Sequence, residues 1–138
     1  MEEYMSQVIT VYDFSQHCRT TKTPQDLYVE MDCPYTGKGE KFSPGDLLES
    51  ALAGCMLISM GTLAIRNKID ISGTKISVDI DATIDSVMRY TGITVNVTMN
   101  QNYNEKDRQR LERAADACPI KHSFRSDIPV TVKYNYPE

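Results

Sequence analysis

Apolar and polar residues alternate near the start of the chain, where Val8, Thr10, Tyr12 and Phe14 fall on one face of an expected strand. Polar punctuation runs from Ser15 to Thr23. Leu27, Val29 and Met31 then show the two-residue period of a second strand. The stretch Asp32-Cys33-Pro34-Tyr35-Thr36-Gly37-Lys38-Gly39 is built from turn formers and reads as a loop. Its Gly37-Lys38-Gly39 lacks the full spacing of a phosphate-cradling loop.

A helix start follows, with Ser43 as N-cap, Pro44 at the first helical position and Asp46 in the first turn. From Leu47 to Ile65 the chain is apolar almost all round, which predicts a helix buried on most sides. Ala51, Ala53, Gly54 and Gly61 cost helix propensity but let another backbone approach closely. So apolar a helix is hard to cover within a small domain, and a second subunit is expected to pack on it.

Past Lys68 the period changes to two. Ile76, Val78, Ile80, Ala82 and Ile84 predict one strand and Ile93, Val95, Val97 and Met99 another, with Asp85 to Gly92 as the connection of a hairpin. Asn104, Glu105 and Asp107 start a second helix, whose apolar stripe Leu111, Ala114, Ala115, Cys118 ends at the helix breaker Pro119. Ile128, Val130, Val132 and Tyr134 predict a last strand. Strands, long helix, strands, helix, strand is the order of an α+β fold.

The 138 residues are read as one domain, 1–138, long enough to fold without metal or disulfide. With 15 basic and 19 acidic residues the formal charge is −4, which argues against nucleic acid and anionic membranes as partners. The longest uncharged stretch, Ser50 to Ile65, is shorter than the roughly 20 residues a membrane-spanning helix needs. No basic start leads into an apolar run as in a secretory signal, so a cytoplasmic protein is expected. In that setting Cys18, Cys33, Cys55 and Cys118 are core thiols, metal ligands or redox groups. The chain has no Cys-x-x-Cys and only two histidines, His17 and His122, which argues against zinc and a thioredoxin-type reductase; no cofactor is implied.

The segment Phe42-Ser43-Pro44-Gly45-Asp46-Leu47-Leu48-Glu49-Ser50-Ala51-Leu52-Ala53-Gly54-Cys55-Met56 resembles the first-cysteine helix of the OsmC/Ohr family of osmotically inducible and organic hydroperoxide resistance proteins. Glu112-Arg113-Ala114-Ala115-Asp116-Ala117-Cys118-Pro119-Ile120 is similar to that family's second-cysteine motif. The resemblance implies antiparallel sheets around a long buried central helix, in an intertwined homodimer. It also implies a thiol-dependent peroxidase acting on organic hydroperoxides, with Cys55 as the peroxidatic and Cys118 as the resolving cysteine. The reductant implied is a small dithiol or a lipoylated protein.

Only a thiolate is nucleophilic, and an ordinary cysteine titrates near pH 8.5. Cys55 lies about three turns inside its helix, beyond the useful reach of the helix dipole, so the chemistry calls for a cation from elsewhere in the fold. The resemblance assigns this role to an arginine between the first two strands, which here is Arg19. Relatives hold that arginine with a glutamate where this chain has Gly45; Asp46 is the expected substitute and Glu49 the alternative. That departure keeps open a second function, a dimeric small-molecule binding module whose thiols are idle. Cys18 and Cys33 match nothing in the family; Cys18, next to Arg19, reads as a plain loop cysteine, with adventitious oxidation the alternative. His122 reads as a surface histidine close to Cys118.

Overall fold

The computed structural model describes residues 7–13, 15–23 and 27–138, with the side chain of residue 23 excepted. The chain divides into two compact units, one ending at Leu48 and the other running Glu49–Glu138. Phe14, expected on the first strand, lies outside the described residues.

The first unit carries a three-stranded antiparallel sheet in the order β1 (Gln7–Tyr12), β2 (His17–Thr23), β3 (Leu27–Asp32). β2 corrects the expectation that Ser15 to Thr23 is a polar connection. The segment pairs on both edges, Val11 with Arg19 on one side and Arg19 with Glu30 on the other. It lacks an apolar alternation, so it shows no period-two hydrophobic signal. Threonine's β-branched side chain suits the pleat all the same, at Thr20 and Thr21. Ser15 and Gln16, with φ of 65° and 61°, turn the chain from β1 into β2. Arg19 is therefore a strand residue rather than a loop residue.

Asp32 at the end of β3 is 5% exposed and organises the following loop. Its carboxylate accepts the backbone N–H groups of Glu40 at 3.0 Å and Lys41 at 3.2 Å, and its own N–H donates to the Phe42 carbonyl at 3.0 Å. A buried carboxylate is tolerated only when its oxygens find such donors.

Helix α1 (Pro44–Arg66) begins with a reciprocal cap: Ser43 Oγ accepts the Asp46 N–H at 3.1 Å, and Asp46 Oδ2 accepts the Ser43 N–H at 2.9 Å. In the second unit α1 buries one stripe, Leu52, Met56, Met60 and Ala64, at the four-residue spacing of a single helix face. The expectation of burial on most sides is not met within one chain. Ile58 is 73% and Ile65 82% exposed, and a Cβ built at Gly54 would meet no described atom within 4 Å. By length and composition alone α1 is apolar enough to cross a membrane, with a mean hydropathy of 1.6 over its window. Its buried stripe instead packs in the core with the second sheet.

That sheet has the order β4 (Lys75–Ile84), β5 (Met88–Thr98), β6 (Val130–Asn135). β4 and β5 are an antiparallel hairpin with a bulge at Asp81/Ala82, and β6 runs parallel to β5. β5 starts earlier than expected, at Met88, because the pairing resumes beyond the bulge. Ile93, Val95, Val97 and Met99 point from β5 and its end into the core, with Leu111 and Ala115 of α2 (Glu105–Asp116). Asn104 caps α2, its side-chain oxygen accepting the Asp107 N–H at 2.8 Å.

The C-terminus of α1 is closed by the Ile69 N–H donating to the Ala64 carbonyl at 2.9 Å, with Lys68 at φ 54°. A left-handed position there favours glycine. Lys68→Gly should therefore stabilise the protein by about 0.5–1 kcal/mol. The expected signature is a melting midpoint raised by roughly 2–4 °C.

Candidate active site

Cys55 lies in α1 beside the buried stripe, half-buried and packed against the core cluster. Its flank position follows from helix geometry: the stripe of Leu52 and Met56 faces the sheet, and Ala51 and Ile58 face outward. Cys118 lies two residues beyond the end of α2 and is fully buried. Its N–H donates to the Ala115 carbonyl at 3.2 Å, which carries the helical turn one step further before Pro119 stops it.

The fold brings these two thiols together within the second unit. Burial pushes the Cys118 thiol above its ordinary range, and hydrogen bonding with the neighbouring Cys55 thiol pushes it the same way. Backbone N–H groups of Lys121 and Ile120 act in the opposite sense, that of Lys121 lying 3.5 Å from the sulfur. The net shift is upward, so Cys118 is a neutral thiol at pH 7. Two sulfurs far apart in sequence are thus neighbours, one buried and one on the border of the exposed helix face.

The end of α2 is held from several sides. Tyr134 donates to the Glu112 carbonyl and to Asp116 Oδ1, each at 3.2 Å, and Lys121 Nζ lies 3.5 Å from Asp116 Oδ1. His122 Nε2 donates to the Asp116 carbonyl at 2.7 Å, since a carbonyl only accepts. The imidazole is thereby turned to the helix end.

Arg19, in the first unit, places its guanidinium over the Tyr28 ring, 3.8 Å from the centroid. Asp46 is engaged in the cap of α1 with Ser43. The same unit has a cavity of about 550 Å³ with Tyr28, Val29 and Phe42 in its wall and Glu30, Lys41 and Asp46 beside them. Among the described residues no three His, Cys, Asp or Glu side chains group as metal ligands.

Sequence reading passed over Cys33. Its thiol is brought down to about 7 by the Thr36 hydroxyl first, then by the backbone N–H groups of Thr36 and Tyr35 and, more weakly, of Gly37. The sulfur is the cap of a single turn, as an aspartate oxygen would be. A side chain at Gly37 would put its Cβ 2.7 Å from the Cys33 carbonyl oxygen, so the turn needs a glycine there. The signal was in the sequence, in the turn formers Pro34, Tyr35, Thr36 and Gly37 directly after the cysteine.

The α+β architecture and the paired thiols define a class. Residues 37–133 match the OsmC-like protein family, and the chain belongs to it. The structure is similar to that of a Psychrobacter arcticus 273-4 protein provisionally named an osmotic stress induced and detoxification response protein. The two share 29% identity over 97% of this chain and 98% of that one, with a TM-score of 0.86. It also resembles an OsmC-like protein from Mycoplasma pneumoniae, at 14% identity over 99% and 100% of the two chains, TM-score 0.85. The organic hydroperoxide resistance protein OhrB of Bacillus subtilis shares the fold at 17% identity over 96% and 98%, TM-score 0.71. No curated protein sequence matches the chain.

The different surroundings of the thiols set an order of reactivity. With peptide-resolved alkylation at pH 7 and limiting reagent, Cys33 is expected to label well before Cys118 in the folded protein. Equal rates for the two would contradict both their pKa directions and the burial of Cys118.

Proposed function

We propose that the protein is a thiol peroxidase that reduces organic hydroperoxides, and the observation that carries this is the adjacency of the Cys55 and Cys118 thiols in the second unit. The Cys55 thiolate attacks the terminal peroxide oxygen; the O–O bond breaks, Cys55 becomes a sulfenic acid, and the alkoxide leaves and takes a proton as the alcohol. The Cys118 sulfur, giving up its proton, then attacks the sulfenic sulfur. A disulfide forms, and the thiol proton departs with the hydroxyl group as water. A dithiol reduces the disulfide through a mixed disulfide and regains both cysteines as thiols.

Arg19 is proposed as the cation that favours the Cys55 thiolate and donates to the departing alkoxide. The hydroperoxide resistance proteins among the structural relatives support the substrate class. One equivalent of cumene hydroperoxide should produce a Cys55–Cys118 disulfide, identified by peptide mass. Cys55→Ser should abolish peroxide consumption in the presence of a dithiol. Full activity in that variant would overturn the mechanism. A protein that binds the peroxide without forming the disulfide would be a binding module instead.

A homodimer is part of the proposal. Ile58 and Ile65 are exposed on the face of α1 that carries Gly54, and Val8, Val11, Tyr12 and Leu27 are each about 60% exposed on the first sheet. That much exposed apolar side chain marks an interface in a folded protein. Light scattering should return twice the chain mass, and Ile58→Asp should shift the population toward monomer. A monomeric wild-type protein would overturn the assembly.

A further inference from the structure

Arg19 of β2 stands directly opposite Glu30 of β3. Tyr28 lies two residues before Glu30 on the same strand, so Arg19, Glu30 and Tyr28 share one face of the sheet. The guanidinium carbon sits 3.8 Å from the centroid of the Tyr28 ring. Two carboxylates of this unit, Glu30 and Asp46, make contacts with other groups, and Glu30 also feels the charge of Arg19 across the strand pair. Glu30 Oε2 lies 3.1 Å from Lys41 Nζ, and its Oε1 lies 3.6 Å from His17 Nε2. Asp46 Oδ2 accepts the Ser43 N–H at 2.9 Å. Glycine occupies position 45 and offers no side chain at all.

We propose that Tyr28 is the positioning residue for Arg19, its ring face seating the guanidinium. The inference rests on the reading of Arg19 as the cation that serves Cys55. Its chemistry differs from that of a clamp. A carboxylate takes up guanidinium N–H groups and cancels part of the charge. A face-on aromatic contact uses none of the five in-plane donors and leaves the charge intact for an anion. Guanidinium is weakly hydrated, so resting one face on a ring loses little water. Tyr28 is 56% exposed, so the contact is an open one and its hold on the arginine is modest.

The test compares Arg19→Ala, Tyr28→Leu, Tyr28→Phe and the Arg19→Ala/Tyr28→Leu double variant. Peptide-resolved alkylation of Cys55 at pH 7 and single-turnover oxidation by cumene hydroperoxide are the two readouts. Tyr28→Leu is expected to slow both about two- to fivefold, the scale of an exposed cation–π contact. Tyr28→Phe keeps the ring and is expected to react at the wild-type rate, with reduction of the disulfide by dithiol unchanged in both variants. The double variant should be no slower than Arg19→Ala alone, because the ring acts only through the arginine. Rates unchanged in Arg19→Ala would overturn the assignment of the cation, and this inference with it. A slow Arg19→Ala beside a Tyr28→Leu at wild-type rate would overturn the positioning role alone. So would a Tyr28→Phe as slow as Tyr28→Leu, since that would trace the effect to the hydroxyl.

Discussion

The adjacency of the two thiols depends on one packing contact, the stripe Leu52, Met56, Met60 and Ala64 of α1 in one core with β5 and α2 of the second unit. Four residues on one helix face set the rotation of α1 about its own axis. That rotation puts Cys55 on the flank, partly open, while Cys118 reaches it from the end of α2. A helix turned by one residue would carry the thiol out of reach of its partner. The stripe thus does two jobs with the same methyl and methylene groups. It removes apolar surface from water, and it fixes where the Cys55 sulfur lies.

The surroundings of the two thiols suit different tasks. Cys118 has no exposed surface, and it stays protonated because burial and its neighbour both disfavour its charged form. The N–H of Lys121 near its sulfur, and the grip of Tyr134, Lys121 and His122 on the last turn of α2, hold it in place. Cys33 shows the reverse case, a sulfur serving as a turn cap whose hydrogen bonds favour the thiolate.

The first unit shows how a sheet can be built without an apolar period. β2 carries threonines, a histidine and an arginine, and its identity comes from being paired along both edges. The same strand then presents Arg19 next to an aromatic ring, with Glu30 directly opposite. The Asp46 carboxylate, for its part, caps α1 with Ser43.

Much of the second unit was legible in the order of residues. The alternation Ile93, Val95, Val97, Met99, the cap Asn104 and the break at Pro119 each act within a few residues, so each can be read locally, as can the Ser43 cap in the first unit. The family could be named from two cysteine motifs because their neighbours were specific. Four things needed the tertiary structure. A central polar strand has no hydrophobic signature, so β2 appeared only through its partners. The adjacency of Cys55 and Cys118 is a long-range contact, invisible to any local pattern. The lowered Cys33 and the seat of Arg19 on Tyr28 depend on the direction of hydrogen bonds and ring planes, which only folded backbone defines.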